Sequence, residues 1–157
     1  FGSLFFIGYI PIAPGTIGSI VTVAAIWYGN TLRPAFFAPS NALWFWLAAI
    51  ACVAVSIFLS NDAESVFGKR DPHQIIVDEC AGQVLTFFLI PLSYRTLILG
   101  LLLFRFFDVI KPYPVCRLEE LEDGVGITMD DVAAGVMANI SLHLILLFYY
   151  VIRNWLA

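Results

Sequence analysis

From residue 42 to residue 59 the chain runs for 18 positions without a charged side chain, and residues 135–152 form a second uncharged run of the same length. A helix of about 20 mostly apolar residues crosses the hydrocarbon core of a bilayer, so these two runs constrain the fold more than any other feature. Three weaker stretches follow. Residues 16–32 end at Arg33-Pro34, and residues 75–94 and 96–110 are parted by Pro91 and Arg95. The chain is 61% hydrophobic and only 13% charged, too few polar side chains to cover a soluble globule. The expected fold is all-α: a polytopic membrane bundle of about five hydrophobic helices, one domain over residues 1–157. A four-span version makes the first stretch re-entrant.

Alternating helices place the polar segments 61–74 and 111–129 on the same side as the N-terminus. That side holds Lys69, Arg70, Lys111 and Arg117, against Arg33, Arg95 and Arg153 opposite, which points the polar segments toward the cytoplasm. The uncharged opening lacks the basic region of a cleavable signal peptide. A net charge of −4 without a basic run excludes a nucleic-acid partner. Cys52, Cys80 and Cys116 form no C-x-x-C pair, so neither a zinc knuckle nor a redox motif is expected.

The scarce charges carry the chemistry. Asp78 and Glu79 open the third apolar stretch, with Gly82 one turn beyond Asp78; Asp130 and Asp131 precede the fifth, with Gly135 one turn beyond Asp131. Small residues let helix backbones approach closely in lipid, so these two helices are expected to cross near their carboxylates and gather four acids. Asp108 is placed to join them. A convergent set of carboxylates suits a hard divalent cation such as Mg²⁺. The competing explanation is helix capping, which the Thr128-x-x-Asp131 spacing fits and the macrodipole favours.

Arg105, Asp108 and Lys111 fall on one arc at the end of the fourth stretch, where the two cations either bind phosphate oxygens or pair with Asp108. Near the start, Pro14-Gly15-Thr16-Ile17-Gly18-Ser19 supplies hydroxyls and glycine-freed N–H groups that suit a phosphate, or simply a helix start. Acids at helix ends on one side favour surface chemistry over the rival reading, a proton- or cation-coupled transporter, which needs acids near the midplane.

Four ordered motifs resemble the phosphatidylglycerophosphatase A family. They are residues 14–19; Asp71 with Ile76-Val77-Asp78-Glu79-x-x-Gly82; Phe104-Arg105-x-x-Asp108-x-x-Lys111-Pro112-x-Pro114; and Gly126-Ile127-x-x-Asp130-Asp131-x-x-Ala134-Gly135. Thr128 stands where that pattern leads one to expect an apolar residue. The resemblance implies a Mg²⁺-dependent enzyme of the bacterial inner membrane, its site facing the cytoplasm, which converts phosphatidylglycerophosphate to phosphatidylglycerol and phosphate. On that footing Asp78, Glu79, Asp130 and Asp131 are expected as metal ligands, and Asp78, Glu79, Asp108 and Asp131 as the catalytic carboxylates. Thr16, Ser19, Arg105 and Lys111 are the expected substrate-binding residues.

Overall fold

The computed structural model describes residues 14–60, 76–118, 121 and 123–156. Asp71 and the rest of the first polar segment, 61–74, lie outside them, as do Glu119, Glu120 and Glu122. Among the described residues six α-helices follow in order: α1 (Pro14–Leu32), α2 (Ala42–Ser60), α3 (Val77–Thr86), α4 (Tyr94–Ile110), α5 (Val115–Leu118) and α6 (Asp123–Trp155). Two short 3₁₀ turns, Pro34–Phe37 and Pro39–Asn41, connect α1 to α2. The described residues contain no strand, so the all-α expectation holds.

Among the described residues two segments are long and apolar enough to cross a membrane, Pro39–Ser60 with mean hydropathy 2.4 and Gly124–Trp155 with 1.9. Only 17% and 22% of their apolar windows are buried, the reverse of a soluble core helix. Trp44, Phe58, Leu147 and Phe148 are among the large apolar side chains facing outward. This is a membrane protein whose solvent on these faces is lipid. At 33 residues α6 is about 50 Å long against a hydrocarbon core of about 30 Å, so one end reaches beyond the core.

The expectation of one helix over residues 75–94 is corrected. α3 has only 10 residues, about 15 Å or half a bilayer. Leu89 takes a left-handed φ of 56°, and Pro91 has no N–H to continue the ladder. Ser93 then opens α4 with a reciprocal cap: its Oγ accepts from the Thr96 N–H (3.2 Å), and Thr96 Oγ1 accepts from the Ser93 N–H (2.8 Å). Charge-based hydropathy does not register such backbone punctuation.

A helix that ends among apolar neighbours leaves carbonyls that must find donors. Asn139 of α6 supplies them, its Nδ2 donating to Thr86 O (3.0 Å) and Phe88 O (2.8 Å). Asn139→Leu is therefore expected to lower stability by about 2 kcal/mol, through two lost hydrogen bonds and the stranded carbonyls. Thermal unfolding in detergent checks this; an unchanged melting temperature would show that the α3 end is satisfied otherwise.

Candidate functional site

The helix ends assemble the polar site by backbone contact between α3 and α6. A Cβ on Gly82 would overlap the Asp131 carbonyl, and a Cβ on Gly135 would overlap the Gly82 carbonyl. Gly82 makes room for the Asp131 backbone and Gly135 for the Gly82 backbone, the close crossing that the sequence spacing predicts, and α3 and α6 are extensively packed against each other. The crossing brings Asp78 and Asp131 to neighbouring turns. Both are 4% exposed, as is Asp130.

Capping does not account for the second acid pair. α6 is already helical at Asp123, so Asp130 and Asp131 lie about two turns inside it, beyond the four orphan N–H groups of a helix start. The expected Thr128 cap is likewise corrected: Thr128 is fully buried within α6, and its hydroxyl shares a 2.8 Å hydrogen bond with Ser56 of α2. That pairing explains a polar residue where an apolar one was expected. Asp78 and Glu79 do sit in the first turn of α3, where the macrodipole favours them.

Among the described residues three ion pairs tie the remaining charges to this cluster. Arg105 Nη1 lies 3.1 Å from Glu79 Oε1 and 2.7 Å from Asp108 Oδ2, joining α3 to α4. Lys111 Nζ donates to Asp130 Oδ2 at 2.7 Å, joining the end of α4 to α6. Lys111 reaches there from the left-handed C-cap of α4, at φ 46°, a conformation that costs a lysine roughly 1–2 kcal/mol and that the surrounding packing must enforce. Pairing with Asp108, one of the two alternatives for Arg105, is thus present, and the pairing extends to Glu79 on another helix.

Asp131 is the centre of the arrangement. The charges of Asp78, Asp108, Asp130 and Glu79 all act on it. Its Oδ1 is buried with no hydrogen-bond partner among the described residues. Among the described residues five carboxylates stand with two cations, a negative excess of the kind that a bound cation or a proton offsets. Among the described residues no three acid, histidine or cysteine side chains form a ready-made cation cage. Mg²⁺ does not demand one: it is commonly held by one or two carboxylates plus phosphate oxygens and water. The hard oxygen donors and the orphaned Asp131 Oδ1 fit that ion.

At the other wall stands α1. Its Gly15 and Gly18 abut the Glu79 carboxylate, and a Cβ on Gly15 would overlap it. Where the sequence suggested a phosphate cradle, a carboxylate of the chain itself occupies the approach. Thr16 is half-buried in the same turn, whereas Ser19 is fully buried with its Oγ unpartnered among the described residues. The acids and cations of α3, α4 and α6 therefore converge, with the α1 hydroxyls behind them. Gln83, one turn beyond Glu79 and fully buried, was not singled out by sequence reasoning; a lone amide in an apolar run was the available signal.

Residues 1–146 match the family described as Phosphatidylglycerophosphatase A. The chain is 36% identical over 140 residues to a "Putative phosphatidylinositol-3-phosphatase" of Bacteroides thetaiotaomicron, covering 86% of this chain and 84% of that one. It is 33% identical to a "Phosphatidylglycerophosphatase A" of Haemophilus influenzae, over 83% of this chain and 77% of the other. For the protein of the same name from Escherichia coli the identity is 29%, over 83% and 73%. No solved structure matches the chain. The chain belongs to the phosphatidylglycerophosphatase A family and is a phosphatase, a phosphoric monoester hydrolase.

Proposed function

We propose that the chain hydrolyses phosphatidylglycerophosphate to phosphatidylglycerol and inorganic phosphate, with its polar site at the cytoplasmic face of a bacterial inner membrane. The observation that carries this is the convergence of five carboxylates and two cations at one end of a lipid-facing bundle whose family is named for that reaction. The lipid's acyl chains stay beside the apolar helix faces, and only the headgroup enters the charged end. The bundle is read as about five membrane helices, with α3 crossing half the bilayer.

Arg105 and Lys111 turn from their carboxylate partners to the oxygens of the terminal phosphate, Arg105 as a fork and Lys111 as a point charge. Thr16 completes the phosphate-binding wall, and Ser19, one turn further along α1, meets the rest of the headgroup. Asp78 and Asp131, with Glu79 and Asp130, would hold a Mg²⁺ ion. When bound, Mg²⁺ supplies charge neutralisation and Lewis acidity to the phosphoryl group. Asp108 orients the attacking water and takes its proton; the water oxygen bonds to phosphorus, the bond from phosphorus to the glycerol oxygen breaks, and that oxygen leaves with the proton Asp108 took. A carboxylate nucleophile, Asp108 or Asp131, is the competing route. It predicts a phosphoenzyme trapped on acid quenching.

Purified full chain in detergent, given phosphatidylglycerophosphate, is expected to release phosphate with Mg²⁺ and to lose nearly all release in EDTA. Asp78→Asn should lower kcat/KM by about 10²-fold, the scale of losing a transition-state contact. Release unaffected by EDTA would remove the metal, and no release at all would sink the substrate. Phosphatidylinositol 3-phosphate is the comparison substrate, given the Bacteroides relative's name.

A further inference from the structure

Gln83 is fully buried, and neither its Nε2 nor its Oε1 has a hydrogen-bond partner among the described residues. An amide so placed costs several kcal/mol unless something pairs with it. Its position on α3 says where that partner comes from. Glu79, Gln83 and Thr86 form one stripe at i, i+4 and i+7. The upper end of the stripe touches Gly15 and Gly18 of α1 and Arg105 of α4, and the lower end touches Gly100 of α4. Gln83 thus faces the seam between α1 and α4, directly beneath the Arg105–Glu79 pair.

Ser19, on α1, stands just above Gln83. On α1 it lies between Gly18, which meets Glu79, and Thr22, whose hydroxyl meets Cys80 at 2.9 Å. It too is fully buried, and its Oγ is unpartnered among the described residues. Two unsatisfied buried polar side chains thus stand on facing helices, Ser19 level with Glu79 and Cys80 and Gln83 one turn deeper.

We propose that Gln83 and Ser19 bind the free hydroxyl of the headgroup polyol, which sets the specificity of the reaction; this rests on the lipid phosphatase reading given above. One helical turn is about 6 Å deeper along α3. In a glycerol bridging the lipid phosphodiester and the terminal phosphate, the central hydroxyl lies on the lipid side of the phosphate, so it meets this level when the phosphate meets Arg105. A hydroxyl both donates and accepts, and it matches an amide that offers one of each. Gln83 is a specificity residue and does not touch the transferred phosphoryl group.

The test is a cycle between protein and substrate. Phosphatidylglycerophosphate and its analogue with a 1,3-propanediol headgroup, lacking the central hydroxyl, are given to the wild-type chain and to Gln83→Met, a near-isosteric change. Loss of the hydroxyl is expected to lower wild-type kcat/KM about tenfold, mainly through KM, and to change the Gln83→Met value less than about twofold. Ser19→Ala is run in the same cycle and keeps the test decisive if Gln83→Met does not fold. Equal discrimination by wild type and variant overturns the assignment, as does a wild type indifferent to the hydroxyl. A wild type that hydrolyses neither lipid overturns the underlying function as well, and that outcome is distinct from the other two.

Discussion

Asp131→Asn is expected to lower phosphate release by about 10²–10³-fold while leaving the protein as stable as before or more stable by about 1–2 kcal/mol. The two halves of this result have one cause. Asp131 is 4% exposed, and its Oδ1 has no partner among the described residues. Four further carboxylates, Asp78, Asp108, Asp130 and Glu79, act on it. A buried anion among anions opposes folding, so its retention is explained by chemistry and not by structure. An amide keeps the shape and removes the charge. Asp130→Asn is the contrasting variant, because Asp130 holds Lys111 at 2.7 Å and losing that partner should destabilise the α4–α6 junction. Phosphate release with and without Mg²⁺, measured beside thermal unfolding in detergent, separates the two effects. Full activity in Asp131→Asn would remove this residue from the site, and a large loss of stability would make it structural.

The sequence disclosed most where a residue was out of place in lipid. Asp78, Arg105, Asp108, Lys111, Asp130 and Asp131 were legible because charges are scarce in an apolar chain, and Gly82 and Gly135 because each follows an acid by one turn. Backbone events were not legible. The left-handed Leu89 that ends α3 has no side-chain signature, and hydropathy read residues 75–94 as one span. The second polar segment was read as a loop to residue 129, whereas α6 is already helical at Asp123. Its early turns mix Gly124, Gly126 and Thr128 with acids, a composition of poor helix propensity that packing against α2, α3 and α5 overrides. Gln83 and Asn139 went unassigned for a related reason. One amide inside an apolar run has no visible partner until the helices are placed, and only then does Asn139 prove to close the end of α3.

Gly135→Ala is expected to destabilise the fold by at least about 2 kcal/mol and to reduce activity beyond what the lost folded fraction explains. The added Cβ would overlap the Gly82 carbonyl, and Gly82 is itself pressed against the Asp131 carbonyl. Backbone meets backbone here, so no side-chain rotation can relieve the contact, and α3 and α6 must separate. Separation also draws Asp78 away from Asp131, which is why activity per folded molecule falls along with stability. Gly29→Ala supplies the control: a Cβ there would meet only the Phe37 ring, at 3.6 Å, an ordinary contact. In the last turn of α1 alanine should then be neutral or stabilise by up to about 0.5 kcal/mol through helix propensity. Unfolding temperature and specific activity of both variants decide the matter. If Gly135→Ala behaves like Gly29→Ala, the close crossing of α3 and α6 is not what holds the two acid pairs together.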